Sequence, residues 1–402
     1  MRSQSQIDKI DRRVSFIITF QFIALGIKNT LINAVPYLYN MNNSLNILLL
    51  GLVCVLYTYS LFILYHRRTY SGVRILSSLA VISIIFTYVF YPQNIPFWKE
   101  YELRFIIILL PSFYLISKLY TLEYFKNYMT RGSYFLTVAL VVFAVFVSLI
   151  GHTVRDMYTT YSMSMANVAM LSIMWQLRAF LKEKNKVAFV CSIIGSIVLV
   201  LYGSRNQLLA ITAYIVFHIL GNSKYKIVGF SIVSVSVIFI VAFFKNILFF
   251  VLTIFERFGL NSRTIYLLIE GGIDESTQVR LDTYSKLNNL LFKNPLVGLG
   301  ISGDEAKIGE LAHSLYYSIW STYGLFLGSI IILFIIILCI KSLRKSSGLH
   351  HQILVLYMCM VFPRSITGGD IWGNAVLWVL LGICFMILNT RKRELLFLKR
   401  HH

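Results

Sequence analysis

Charge is scarce in this chain. Only 13% of its 402 residues are Asp, Glu, Lys or Arg, while 57% are hydrophobic, a balance that excludes a soluble domain of this size. Acids are the scarcer sign, 17 against 37 basic residues. The five cysteines (Cys54, Cys191, Cys339, Cys359 and Cys384) stand singly inside apolar segments. With no CxxC pair and no Cys/His cluster, neither a disulfide framework nor a zinc site is indicated, and small core residues are the plain reading. A Walker loop, a GxGxxG before a helix and an HExxH pair are also missing, so nothing points to P-loop, dinucleotide-binding or zinc-peptidase chemistry. No repeat recurs at a fixed period and no low-complexity linker divides the chain.

What the chain has instead is a succession of apolar stretches, each long enough or nearly so to cross a bilayer. About twelve are read, over 14–36, 45–64, 74–91, 104–122, 132–151, 158–178, 187–202, 207–220, 227–245, 314–340, 350–364 and 372–390; of these 207–220 and 350–364 are short. The first follows Arg12 and Arg13 without a small-residue cleavage site, so it reads as a retained span. Nearly all of the net charge of +20 falls in loops on one side, among them Arg67–Arg68–Arg74, Lys182–Lys184–Lys186 and Arg391–Lys392–Arg393. The positive-inside rule places that side, with both termini, in the cytoplasm. Anionic lipid headgroups, and not nucleic acid, are the expected partners of these loops. The expected fold is an all-α polytopic integral membrane protein, residues 1–402 forming a single membrane domain.

That domain is interrupted once. Between spans nine and ten, hydrophobicity falls over residues 246–313, and the topology puts this large loop outside the cytoplasm. A lone long loop in a compact fold is usually functional or disordered. Order is expected here, because Val279, Tyr284, Leu287 and Leu291 recur at helical spacing after a capping residue at Ser276. Asn294-Pro295 should end that helix, and the turn at Gly298 and Gly300 should return the chain to the membrane. An amphipathic helix on the outer membrane face is the expected element.

A charged group in or near a membrane is paired, solvated or used. On the outer side four such groups stand out: Arg205 in the turn Tyr202-Gly203-Ser204-Arg205-Asn206-Gln207, Arg280 in the loop helix, His313 at the start of the tenth span, and Arg364 beside Thr367-Gly368-Gly369-Asp370. Arginine suits an anion because its planar fork donates two hydrogen bonds and never loses its charge. Taken singly, each has a plainer role, as a snorkelling arginine or an interface histidine. Lys28, His152, Asp156 and His218 read as headgroup or helix-end contacts. The pairs Asp274-Glu275 and Asp304-Glu305 could hold a metal or act as bases, but adjacent loop carboxylates are usually just solvated. Tyr316, Tyr317 and Trp320, close after His313, are candidate sugar or lipid contacts.

Three segments in this order resemble the bacterial O-antigen polymerase and O-antigen ligase superfamily. Asn294-Pro295-Leu296-Val297-Gly298-Leu299-Gly300 is similar to the family's turn before its histidine. His313-Ser314, nine residues and then Gly324 is similar to the ligase pattern, which next expects Gly, Thr or Tyr where this chain has Leu327; Gly328 comes one residue late. Gly203-Ser204-Arg205 resembles the outward Ser-Arg turn, and Arg280 the long-loop arginine. The motifs cover roughly 200–330, and Leu327 favours the polymerase branch. The resemblance implies a metal-independent glycosyltransferase with no cofactor, acting at the outer face of the bacterial inner membrane. The donor would be an oligosaccharide on undecaprenyl pyrophosphate. The acceptor would be another lipid-linked repeat unit in a polymerase, or lipid A-core in a ligase; a chain-length regulator protein is a candidate partner. His313, Arg280 and Arg205 would then be the catalytic set, with Arg205, Arg280, Arg364 and Tyr317 binding pyrophosphate or sugar. A lipid-linked oligosaccharide flippase is the reading from another class, although no paired broken helices of the transporter kind are visible.

Overall fold

Long apolar runs can satisfy their backbone only as helices once they leave water, and helix is what the described runs form, even where Pro111 and Pro363 fall within them. A computed structural model describes all residues except 1–3, 35–41, 68, 152–162, 203–204, 223–245, 247–248, 251, 255–256, 258–268, 270–274, 294, 366–367 and 402. The helices run α1 Gln4–Ala34, α2 Asn42–Leu64, α3 Ser71–Phe90, α4 Ile95–Arg104, α5 Leu110–Ser117, α6 Glu123–Gly151, α7 Met163–Glu183, α8 Lys186–Tyr202, α9 Arg205–Asn222, α10 Glu275–Lys293, α11 Gly303–Ile308, α12 Leu315–Tyr323, α13 Leu325–Lys345, α14 Gly348–Ser365 and α15 Ala375–His401. No strand occurs among the described residues. Among the described residues five stretches are long and apolar enough to cross a membrane: Ser5–Ile32, Asn42–Leu64, Ser71–Phe90, Glu123–Val145 and Leu325–Lys345. Lys186–Val200, Asn206–Gly221 and Ala375–Asn389 are shorter apolar helices. The architecture is that of a helical membrane protein; the expected span over 227–245 lies outside the described residues.

Two of the expected spans are not single helices. The run over 104–122 divides at a π-helical segment, Phe105–Leu109, between α4 and α5. The run over 314–340 divides at Gly324, which has φ 80° and separates α12 from α13. Its backbone approaches Pro295 and Leu296 so closely that a Cβ would lie 2.9 Å from the Pro295 carbonyl oxygen. Apolar periodicity cannot reveal either break, because residues on both sides remain hydrophobic.

The chain forms two compact units: Met1–Gln21, Ile47–Tyr128 and Glu275–His402 make the first, and Phe22–Asn46 with Met129–Asp274 the second. Aromatic residues lock the first unit's core. Phe105 meets Trp372 and Trp378 edge-on, and Phe113 meets Trp378 and Phe385 the same way, at centroid distances of 4.9 to 5.8 Å. The Trp378 indole N–H, buried with its ring, donates to the Ile371 carbonyl at 2.7 Å. In the second unit α6 and α7 are joined by polar side chains: Gln176 Nε2 donates to Thr137 Oγ1 at 2.6 Å, and Ser172 Oγ to the Ser133 carbonyl at 2.7 Å. Such bonds join helices where apolar side chains gain nothing by leaving lipid.

Candidate functional site

The first unit's site is built on the short connections between α10, α11 and α12. At their base is a knot of backbone. Gly298 packs against the last turn of α12, where a Cβ would stand 2.2 Å from the Thr322 carbonyl oxygen. The Leu299 N–H donates to the Ser321 carbonyl at 2.6 Å, and the Phe326 N–H to the Pro295 carbonyl at 3.3 Å. The end of α3 supports the knot from below. Tyr91 Oη donates to the Gly298 carbonyl at 2.7 Å, Asn94 Nδ2 to the carbonyls of Leu299 (2.7 Å) and Ile301 (3.1 Å), and the Ile301 N–H to Thr87 Oγ1 at 3.1 Å. Thus Gly298, Gly300 and Gly324, glycines that carry the family resemblance, make the scaffold of the site.

From the knot the chain turns through α11 into His313. The backbone of His313 is left-handed, φ 48°, a conformation costing a residue with a Cβ roughly 1–2 kcal/mol. Asp304 keeps it there: buried to 5% exposure, it accepts the Ala312 N–H on Oδ2 at 2.9 Å. On the other side Ser314 Oγ donates to the Ser365 carbonyl at 3.2 Å. The residue with the unusual φ is therefore clamped on both flanks, while its own side chain is exposed. Strain of this kind concentrates at functional positions.

The loop helix α10 supplies the opposing wall. Leu287 and Leu291 are buried, Leu287 at 0% and Leu291 at 1% exposure, and each contributes about 1.5–3 kcal/mol relative to an exposed side chain. Of the expected apolar stripe, Leu287 and Leu291 face protein while Val279 is exposed; Leu281 and Phe292 are exposed as well, followed by Leu296 and Val297 beyond the helix. The helix begins at Glu275, so the expected cap Ser276 lies inside its first turn. Thr283 Oγ1 donates to Glu310 Oε2 at 2.5 Å, tying α10 to the turn before His313. One position further on, Tyr284 stacks on Tyr317 with ring centroids 4.3 Å apart and planes inclined by 2°; Trp320 meets Tyr317 edge-on.

The charges are unequal in kind. Desolvation of the His313 ring and the neighbouring Arg280 guanidinium lower its pKa below the ordinary 6.5, while Asp304 and Glu310 pull it upward. The net direction favours a neutral imidazole at neutral pH. Burial raises the pKa of Asp304, opposed by N–H donors that include Ala312 and by His313. Asp370, in the turn before α15, is raised chiefly by burial, while Ser318 Oγ donates to its Oδ1 at 2.6 Å and the Trp372 N–H at 3.1 Å.

Four of the five sequence-predicted site residues fall in this unit. Arg280 acts electrostatically on both His313 and Tyr284. Tyr317 lies on the aromatic stack. Arg364 is half-buried in the last turn of α14, the residue before Ser365, whose carbonyl holds Ser314. Arg205 opens α9 in the second unit; Gly203 and Ser204 of its motif lie outside the described residues, as do His152, Asp156 and Asp274. Asp304, expected to be solvated, is instead buried in a structural hydrogen bond. Glu310 and Asn94 carried no sequence signal, since each is a single polar residue whose partner lies far along the chain. Among the described residues no group of three His, Cys, Asp or Glu side chains could hold a metal ion.

An exposed histidine on a clamped left-handed backbone, acted on electrostatically by an arginine and two carboxylates, is suited to moving a proton beside an anion. Comparison with protein-family models, with curated proteins and with solved structures finds no match for this chain.

Proposed function

We propose that this protein is a glycosyltransferase that polymerises undecaprenyl-pyrophosphate-linked oligosaccharide repeat units into surface polysaccharide. In this reading it is a multi-pass protein of the bacterial inner membrane with about twelve spans, both termini in the cytoplasm, and the α10–α12 site on the outer face. The observation that carries the reading is His313: exposed, held in a left-handed backbone, and electrostatically coupled to Arg280.

The chemistry follows from the groups present. A sugar hydroxyl oxygen of the acceptor attacks the anomeric carbon of the donor, and the bond from that carbon to the pyrophosphate oxygen breaks. The hydroxyl proton passes to the neutral imidazole of His313, whose lowered pKa leaves it free to accept. The departing undecaprenyl pyrophosphate gains negative charge as the bond lengthens. A guanidinium fixed beside it, Arg280, stabilises that charge more in the transition state than before it. Arg364, on the helix end bonded to Ser314, is a second anion contact. Tyr317 offers an aromatic surface to a sugar ring. Arg205 enters as the sequence expectation alone, from its Ser-Arg turn.

The test is deletion of the gene in the source strain, with complementation and electrophoresis of the surface glycan. Loss of the ladder with survival of a single core-plus-one-repeat band supports the polymerase. Long lipid-linked polymer that is never transferred means a ligase, and accumulation of single lipid-linked units on the cytoplasmic side means a flippase.

A further inference from the structure

The geometry points to Asp304 as the residue that positions His313, holding the left-handed turn through the Ala312 N–H. This rests on the proposed role of His313 and extends it to a residue whose sequence context suggests only a solvated loop acid.

Two observations carry it. First, the location is built. Ser302 (φ 52°) and Gly309 (φ 83°) bracket the one-turn helix α11 with left-handed residues, so the helix is aimed by its ends. Its entry is fixed by Asn94 on the carbonyls of Leu299 and Ile301 and by Thr87 on the Ile301 N–H. Asp304 leaves this rigid base and reaches eight residues along the chain to Ala312, the position before the strained histidine. A buried carboxylate is costly unless it is satisfied, and the donor it finds is the Ala312 N–H, in the backbone that sets His313. Without that bond the turn can relax to an ordinary φ, and the ring would swing with it.

Second, the charges around His313 are arranged so that Asp304 matters to its protonation. From α10 comes Arg280, which lowers the imidazole pKa; from the 309–313 turn comes Glu310, which raises it; from α11 comes Asp304, which raises it as well. Asp304 acts electrostatically on Glu305 beside it and on Asp370 in the turn before α15, and Arg280 acts on Tyr284. Glu310 is engaged by Thr283, whereas the Asp304 carboxylate both anchors the turn and acts electrostatically on the ring. A positioning role thus makes two separable contributions, a hydrogen-bond acceptor and a negative charge.

Asp304→Asn keeps an acceptor oxygen and removes the charge; Asp304→Ala removes both. The readouts are the glycan ladder in complemented cells and, on the full-length protein in membrane vesicles, the pH dependence of diethyl pyrocarbonate labelling of His313, followed by peptide mass spectrometry. Only neutral imidazole reacts, so the labelling midpoint reports the His313 pKa without any substrate. Asp304→Asn should lower the midpoint by roughly half a unit or more, because the stabilising anion is gone, and should weaken the ladder without abolishing it. Asp304→Ala should abolish the ladder while the protein remains in the membrane. A wild-type midpoint in Asp304→Asn overturns the proposal whatever happens to the ladder, since a merely structural aspartate would leave the ring's titration alone; so does a normal ladder in Asp304→Ala. If His313→Ala itself keeps the ladder, the glycosyltransferase role of His313 fails, and the labelling midpoint still decides whether Asp304 governs His313.

Discussion

Two charged clusters stand at opposite ends of α3, about 30 Å apart by helix rise, and they treat their charges in opposite ways. Before α3 begins, Asp11 and Arg67 form a salt bridge with exposures of 0% and 6%. The pair is bonded on both sides. Asp11 also accepts the N–H groups of Tyr120 (2.9 Å) and Thr121 (3.1 Å), and Arg67 donates to the carbonyls of Lys118 (3.0 Å) and Ile7 (3.3 Å) while lying over the Tyr120 ring. After α3 ends, Asp304 is equally buried, yet the residue it serves, His313, is exposed. The first cluster closes on itself, its carboxylate held by the guanidinium and two backbone N–H groups. The second spends its buried polar bonds on backbone, which leaves a titratable ring presented outward. In a chain this poor in charge, that contrast separates a structural pair from the cluster proposed to work.

Substitutions can break the comparison. The largest effect should come from His313→Ala, a loss of polymer formation of about 10²–10⁴-fold if the ring moves a proton, measured against membrane-inserted protein. Arg280→Ala should cost roughly 10²–10³-fold, and Arg280→Lys should recover only part of it because a point charge lacks the bidentate fork; full activity in Arg280→Ala removes that residue from the mechanism. At the other end, Arg67→Ala strands a buried carboxylate and should destabilise the fold by about 3–5 kcal/mol. Its signature is a lower melting temperature in detergent with normal polymer output per folded molecule. Smallest of all, Glu123→Gln removes an exposed partner of Lys126 at 3.0 Å and should shift stability by about 1 kcal/mol or less, a control in the same thermal assay.

Much of this arrangement is legible in the sequence, and the illegible parts have identifiable causes. The helix expected over 279–292 forms as Glu275–Lys293 because its period survives in a polar segment. Gly298 and Gly324 are visible as motif residues, but their meeting, which needs the last turn of α12 against the 295–298 backbone, is a tertiary fact. Arg67 reads as a topology charge, and so it does not announce Asp11, 56 positions away. The Asp304-Glu305 pair looks solvated because nothing local shows that Ala312 will return to one of its carboxylates. His313 is conspicuous by its place at an apolar boundary; its left-handed backbone is not, since even the residue types enriched at positive φ, histidine among them, adopt it in only a small minority of positions.

The central claim is that His313 works on a glycan. The direct measurement is the surface-glycan ladder of a deletion strain complemented with His313→Ala, beside wild type, at matched membrane levels. The account predicts a single core-plus-one-repeat band and no ladder. A full ladder from the alanine variant would contradict it.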